Sequence, residues 1–291
     1  MSTTITVRRY ADALAVLSDA AFEVPVSGSV PVSESDGAPG IMWLRAHVSR
    51  FANGDVHASR RAWVMRVLDG IDPAALRHVA ADRATASLAV GEPADTIARA
   101  VPVAVLAEML GMDADVTEAV RAVARGYHPG TDAGPDADAA VATLVAACGG
   151  VADEATAARI AVLVQACDAT AGLITNALKW AARREAPTDR LLDETLRFDP
   201  PVTAMRRVCV APASIGTAPV APGTHVVLDL VAGNRDPAVF GEPEVFEPAR
   251  DGVDRHLTFG AGRRPCPGRE HAMALAAGVV SAVLAAQRVG A

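Results

Sequence analysis

Apolar residues recur at helical spacing along the first two thirds of the chain. Tyr10, Leu14 and Leu17 are three or four positions apart and predict a helix over residues 10–18, after a short strand at residues 4–8. The same periodicity predicts further helices at about residues 57–68, 73–90, 95–110, 114–125, 136–148, 153–185 and 189–198. Between the first helix and these, the Gly-, Ser- and Pro-rich residues 19–56 predict a long irregular connection.

The pattern changes after Asp199, where Pro200 and Pro201 end a helix because proline lacks a backbone donor. Residues 202–230 carry short Val-rich runs broken by Pro and Gly, which predict strands and turns. A loop follows, and residues 267–287 predict a final helix. The predicted fold class is mainly α with a small β portion, in a single domain over residues 1–291.

Composition narrows the functional classes. With 51% hydrophobic residues the chain can bury a sizeable core, and its net charge of −7 argues against a nucleic-acid partner. No leader-like apolar segment follows Met1, and the apolar run at residues 272–286 is too short to span a bilayer. We therefore expect a soluble, cytoplasmic protein without a membrane partner. The four cysteines have neither metal-type nor disulfide-framework spacing.

The strongest chemical signal is the segment Phe259-Gly-Ala-Gly-Arg-Arg-Pro-Cys266-Pro-Gly268. Its glycines permit a tight turn and close approach of the backbone to a large flat ligand. Cys266 is expected directly before a helix with Pro267 at the first helical position, where free N–H groups favour a thiolate. Arg264 offers a cation for a carboxylate. Without the rest of the pattern, a surface loop that contains a buried cysteine would explain Cys266 equally well.

The complete segment resembles the haem-binding loop of the cytochrome P450 family. The resemblance implies that Cys266 is the axial ligand of the iron of haem b (iron protoporphyrin IX), and that Phe259, Gly260, Arg264 and Gly268 belong to the haem-binding site. It extends over most of the chain and implies a cytochrome P450 fold. The sequence predicts a shortened member, without the usual N-terminal and C-terminal peripheral elements.

Further residues match the family pattern. His57 and Arg61 fit its His-x-x-x-Arg motif and are four positions apart, on one helix face. The resemblance makes them, with Arg207 and Arg264, partners of the haem carboxylates. For each of these residues alone, a solvated surface charge is the simpler explanation.

A Glu-x-x-Arg motif supplies a second family signature. Glu194 and Arg197 are three positions apart and can pair on one helix face. The resemblance adds Arg250, from a Phe-x-Pro-x-Arg stretch, to a structural ion cluster that supports the haem loop. We assign these three residues to folding and haem retention rather than to catalysis.

The long helix departs from the family pattern of an acid followed directly by threonine. Asp168 occupies the acid position, but Ala169 replaces the alcohol and Thr170 comes one residue later. One residue is about 100° around a helix, so Thr170 does not simply substitute. We expect Asp168 to lie among apolar neighbours that raise its pKa and suit it to proton delivery. The alternative is a structural carboxylate.

The resemblance implies a haem-thiolate oxidoreductase of the monooxygenase type that acts on a small organic substrate, in specialised metabolism, by oxygen activation. A peroxide-using enzyme, or a catalyst of a non-oxygenating dehydration or rearrangement, fits the missing alcohol. A non-catalytic haem-binding accessory protein is the second alternative. Candidate partners are a ferredoxin-type electron donor, which Arg255, Arg263 and Arg269 could meet unless they are merely solvated, and a second copy of the chain.

Overall fold

The computed structural model of the chain describes residues 3–26, 39–128, 131 and 134–289. The elements in chain order are β1 (Thr4–Val7), α1 (Tyr10–Ser18), β2 (Phe22–Glu23), α2 (Ile41–His47), α3 (Gly54–Asp69), α4 (Pro73–Ala89), α5 (Ala94–Met109), α6 (Thr117–Gly126), α7 (Gly134–Ala147), α8 (Glu154–Ala181), α9 (Thr188–Phe198), β3 (Ala204–Cys209), β4 (Ala213–Ile215), β5 (Ala218–Val220), β6 (His225–Asp229), α10 (Leu230–Gly233) and α11 (Arg269–Val289). The predicted class, mainly α with a small β portion, is confirmed.

The chain forms two compact units. The first consists of Met1–Pro25 and Thr175–Arg269, and the second of Val26–Ile174 and Glu270–Ala291. The first unit therefore contains every strand of the described chain, and the second is built from helices and their connections.

A four-stranded sheet in the order β1-β6-β3-β2 organises the first unit. β1 is parallel to β6, with Ile5 opposite Val226, and β3 is antiparallel to both β6 and β2. The alternation of the strands buries Val226 and Leu228 on one face. These residues join a core with Val16, Leu17 and other apolar residues of α1. The N-terminal strand and helix are thereby fixed to a sheet formed more than two hundred residues later.

Helix signals in the second unit act as the sequence predicts. Asp72 caps α4 by accepting hydrogen bonds from the amides of Ala74 and Ala75, and Pro73 occupies the first turn. α11 passes so close to α4 that a Cβ at Gly278 would collide with the carbonyl oxygen of Arg77. Glycine at this position therefore sets the distance between the two helices.

The predicted irregular connection 19–56 is partly wrong, because it contains β2 and α2; residues 27–38 lie outside the described part. α2 has only seven residues and no side-chain cap, so its local sequence gives little signal. Its contacts come from distant residues instead. Asp138 of α7 accepts the amide of Ile41 at 2.7 Å, and the Arg45 guanidinium donates to the carbonyls of Gly126, Tyr127 and His128 at the end of α6.

Two helices, Glu154–Ala181 and Arg269–Val289, are long and apolar enough to cross a membrane by length and composition alone. The second extends beyond the apolar run at residues 272–286 that the sequence marked as too short. Of the most apolar stretch in each helix, 61% is buried inside the protein in the first and 44% in the second. The absence of a membrane partner stays a prediction.

Candidate functional site

The loop that carries Cys266 turns on two glycines. Gly260 has φ +72° and Gly262 has φ +63°, values in the left-handed region that glycine adopts without a Cβ penalty. The amide of Gly260 donates to the carbonyl of Leu257 at 2.8 Å, and the amide of Cys266 donates to the carbonyl of Phe259 at 2.7 Å. The loop is thus closed by its own backbone, as the glycine spacing predicts.

The same loop is anchored to the C-terminal end of α1. The amide of Arg263 donates to the carbonyl of Leu17 at 3.1 Å. A Cβ at Gly262 would lie 2.5 Å from that carbonyl oxygen, closer than non-bonded atoms approach. Gly262 is therefore required both for its backbone conformation and for the close approach of two backbone segments.

Cys266 is exposed, so its thiol is accessible to a ligand. The expectation that it directly precedes a helix with Pro267 at the first helical position is wrong. Pro267 and Gly268 form a turn, and α11 begins at Arg269. The guanidinium of Arg269 lies 5.5 Å from the centre of the Phe259 ring, a cation–π contact beside the loop.

The predicted ion cluster is confirmed and is deeply buried. The side chains of Glu194 and Arg197 are both 0% exposed and pair at 2.6 Å, and Arg250 reaches Glu194 at 3.4 Å. Arg197 also donates to the carbonyls of Asn234, Pro243 and Val245. Because a buried ion pair is stable only with its remaining donors satisfied, these carbonyls are part of the cluster.

A second buried network, which the sequence pattern does not reveal, connects α9 to the segment before the cysteine loop. The Asn234 side-chain amide donates to the carbonyl of Leu196 at 3.3 Å and to Thr258 Oγ1 at 2.9 Å. Thr258 Oγ1 donates to the Leu196 carbonyl at 2.6 Å, and Asn234 Oδ1 accepts the amide of Leu257 at 2.7 Å. Asn234 belongs to the sequence Asn234-Arg-Asp-Pro237, which resembles a stretch of the cytochrome P450 family that precedes the haem loop. No sequence motif marks Thr258.

Two predicted haem-carboxylate partners belong to the first unit. Arg207 lies on β3 and is 7% exposed, and its Nη1 donates to the carbonyl of Arg206 at 2.8 Å. Arg264 is half-buried, as are Phe259 and Gly268. An accessible thiol with arginines on neighbouring segments is a donor set that fits an iron centre with acidic substituents.

The other two predicted carboxylate partners belong to the second unit. His57 and Arg61 are both half-buried and lie one turn apart on α3. The predicted helix and spacing are confirmed, and the haem role stays a prediction.

The acid region of α8 differs from its expected surroundings. Asp168 is exposed rather than enclosed by apolar side chains. Its neighbour Cys167 is buried, and burial together with the negative charge of Asp168 raises the pKa of that thiol to about 11. Thr170 is 2% exposed, and its hydroxyl oxygen has no hydrogen-bond partner in the described part of the chain.

Tyr127 is a second buried hydroxyl in the same unit, and no sequence pattern marks it. Its side chain packs on Phe51 with ring centres 5.1 Å apart, and its hydroxyl lacks a partner among the described residues. Burial raises the pKa of Tyr127, while the nearby positive charge of Arg50 acts in the opposite direction. Both hydroxyls stay protonated and able to donate or accept a hydrogen bond.

Comparison with known proteins finds similar sequences for the region that includes this loop. A family model described as cytochrome P450 matches residues 178–286. A cytochrome P450 140 of Mycobacterium tuberculosis is 35% identical over 117 residues, which cover 37% of this chain and 27% of the relative. Linalool 8-monooxygenase of Pseudomonas putida is 36% identical over 92 residues, 31% of this chain and 22% of that enzyme. The matches thus span about a quarter of the length of these relatives.

Solved structures are similar over almost the whole chain. P450BioI, in complex with an acyl carrier protein ligated to hexadec-9Z-enoic acid, matches with TM-score 0.78 and 20% identity, over 96% of this chain and 83% of that chain. HmtT, which is involved in himastatin biosynthesis, matches with TM-score 0.78 and 22% identity over the same shares. At these identities the likeness shows the fold.

Proposed function

We propose that the chain is a member of the cytochrome P450 family, and that it is a haem-thiolate oxidoreductase of specialised metabolism that oxidises a small organic substrate by oxygen activation. The observation that carries the proposal is the accessible Cys266 in a loop closed by two left-handed glycines. Relatives are named as a monooxygenase, a hydroxylase and an epoxidase, which supports oxidative chemistry for the family region.

The residues of the chain divide the work of holding haem b. Cys266 would hold the iron, and Arg207, Arg264, His57 and Arg61 would pair with the carboxylates. Haem held through a thiolate would supply oxygen activation. Phe259 and the glycines shape the loop on the thiol side, and Gly268 belongs to the turn that leads into α11.

Proton delivery is assigned to Asp168 and Thr170 of α8. Exposed Asp168 can exchange protons with water, and the Thr170 hydroxyl has donor and acceptor capacity that no described side chain uses. Ala169, between them, contributes no hydroxyl. The two residues therefore act from different sides of the helix rather than as an adjacent pair.

The test is the absorbance spectrum of the reduced, carbon-monoxide-bound protein. Wild type should show the red-shifted band of a thiolate ligand, Cys266→Ser should lose it, and the matched control Cys148→Ser should keep it. Bound haem without this band would contradict the thiolate assignment. A wild-type protein that binds no haem would contradict the whole proposal.

Electron delivery from a ferredoxin-type donor is proposed to use Arg263, which is exposed beside the thiolate loop. Arg255 and Arg269 are less suited, because Arg255 donates to the carbonyls of Val239 and Gly252, and Arg269 covers the Phe259 ring. Arg263→Glu should slow reduction by an acidic ferredoxin and weaken its salt dependence. Unchanged reduction would place the donor elsewhere.

The missing alcohol at Ala169 favours a second candidate, a haem-thiolate enzyme that uses peroxide or catalyses dehydration or rearrangement. Turnover with peroxide, but none with a reductase and oxygen, would select it. A haem-loaded protein inert with oxygen, peroxide and every substrate class would select a non-catalytic accessory role.

Cytoplasmic location, a homodimer and a carrier-held substrate are further parts of the proposal. The carrier-bound state of the similar P450BioI supports the last of these by fold alone. If it is correct, an acyl group on a carrier protein should shift the haem spectrum at lower concentration than the free acid does. Equal titration curves would remove the carrier.

A further inference from the structure

The segment His256–Phe259, directly ahead of the cysteine loop, is fixed on both sides by hydrogen bonds. His256, Leu257 and Thr258 are 4%, 2% and 6% exposed. The Leu257 amide donates a hydrogen bond to Asn234 Oδ1, and Thr258 Oγ1 donates one to the Leu196 carbonyl. Phe259, the next residue, supplies the carbonyl that accepts the Cys266 amide. This segment therefore connects α9 to Cys266 through hydrogen bonds.

His256 adds one bond to this path. Its Nδ1 accepts the amide of Thr258, two residues ahead, at 3.3 Å. A ring nitrogen that accepts a hydrogen bond carries no proton, so the proton of the neutral ring is on Nε2. Nε2 has no partner among the described residues. Burial and the positive charges of Arg269 and Arg197 lower the pKa of His256 to about 3, so the ring stays neutral and Nδ1 stays an acceptor.

This bond has the geometry that asparagine forms in an Asx turn, in which a side-chain acceptor binds the amide two residues later. The buried Nε2–H has no acceptor among the described residues, so this unpaired donor costs stability. What the ring contributes is its acceptor nitrogen and a contact with Phe259, whose ring centre is 6.0 Å away.

We propose that His256 is a positioning residue for the Cys266 thiolate: through the Thr258 amide it fixes the turn that presents the Phe259 carbonyl to the Cys266 amide. Asn234 holds the same segment by accepting the Leu257 amide. The proposal rests on the proposed function for its meaning, since it assumes that Cys266 binds iron, but the geometry of the turn is a property of the chain itself.

The test compares substitutions that keep or remove the acceptor. His256→Asn keeps an acceptor able to reach the Thr258 amide, His256→Leu removes it, and His256→Gln places its amide one carbon too far. His225→Leu, at an exposed histidine of β6, is the matched control. Hydrogen exchange of the Thr258 and Cys266 amides is measured on the full-length protein as isolated, together with the reduced carbon-monoxide spectrum.

In His256→Leu we expect both amides to exchange on the order of tenfold faster, and the thiolate band to convert with time to that of a protonated or different ligand. His256→Asn and His225→Leu should match wild type. If His256→Leu does not fold, His256→Gln gives the same comparison.

Wild-type exchange and a stable thiolate band in both His256→Leu and His256→Gln would overturn the proposal. Failure of His256→Asn to restore them would also overturn it, since ring packing would then be the reason for histidine. If wild type binds no haem, the proposed function fails, while the exchange rates still decide whether His256 fixes the turn.

Discussion

Buried polar side chains of the two units differ in whether they have hydrogen-bond partners. In the first unit, the buried side chains form hydrogen bonds with one another or with backbone carbonyls, as Glu194, Arg197, Asn234 and Thr258 do. In the second unit, the hydroxyls of Tyr127 and Thr170 have no partner in the described part of the chain. The atoms without partners in the first unit, Arg235 Nε and His256 Nε2, belong to side chains that bond through another atom.

This difference indicates that buried polar groups have a structural role in the first unit and a chemical role in the second. A network in which each buried side chain has at least one hydrogen-bond partner specifies one structure, and in the first unit that structure is the support of Cys266. A buried hydroxyl without a partner costs stability, and such groups are retained in enzymes where a substrate, water or transferred proton uses them. We expect substitutions in the first unit to cost folding, and those at the two unpartnered hydroxyls to cost chemistry.

The largest effect should come from the ion cluster. Arg197→Ala leaves Glu194 buried without its bidentate partner and should lower the free energy of unfolding by about 3–5 kcal/mol. Urea denaturation measures this loss. Arg184→Ala, which breaks the exposed pair with Glu247, is the control and should cost about 0–1 kcal/mol. Similar losses for the two variants would show that the cluster is not a special support.

Gly262→Ala should come next. The new Cβ meets the Leu17 carbonyl at a positive φ, so we expect a loss of about 2–3 kcal/mol and weaker haem retention. Gly223→Ala isolates the conformational part, because Gly223 has φ +85° but no atom within 4 Å of the position that the methyl group would take. That control should lose about 1 kcal/mol. Equal losses would remove the contact with α1 as a cause.

Acid should weaken the first unit through His256. The pKa of His256 is lowered from 6.5 to about 3 in the folded protein. Between these pH values the unfolded chain therefore binds a proton at this histidine that the folded chain does not bind. Stability therefore falls as the pH drops from 6.5 toward 3, by about 2 kcal/mol at pH 5. Urea midpoints of wild type and His256→Asn between pH 7 and pH 5 test this. Parallel curves would contradict it.

The smallest effect on stability should be at the Thr170 hydroxyl. Thr170→Val removes a group without a partner among the described residues, so the free energy of unfolding should be unchanged within about 0.5 kcal/mol or rise. Thr195→Val in the first unit is the control; it loses a 2.7 Å bond to the Leu191 carbonyl and should cost about 1 kcal/mol. If Thr170 handles protons, its variant should also release more peroxide per substrate oxidised. A clear loss of stability in Thr170→Val would reveal a structural bond.

The sequence predicts the elements whose signals are local. The helical periodicity placed α1 correctly, and the Glu194–Arg197 spacing placed the ion cluster. The sequence does not predict α2, because this helix is held by contacts of Asp138 and Arg45 with residues distant in the chain. Nor does it predict that Asp168 is exposed, since exposure depends on how neighbouring helices pack. Asn234 was missed because its partners are distant in the chain, and Tyr127 because its hydroxyl has no partner among the described residues. His256 was missed although its partner Thr258 is only two residues away, because the sequence does not show that the ring is buried.

The bond between Arg263 and the Leu17 carbonyl joins residues separated by almost the whole described chain. Pairing of β1 with β6 has the same long range. Contacts between distant residues form late and slowly, because the intervening chain must first give up its freedom. During synthesis, β1 and α1 therefore lack these partners until β6 and the cysteine loop have been made. We expect the haem site to form only after these long-range contacts are made.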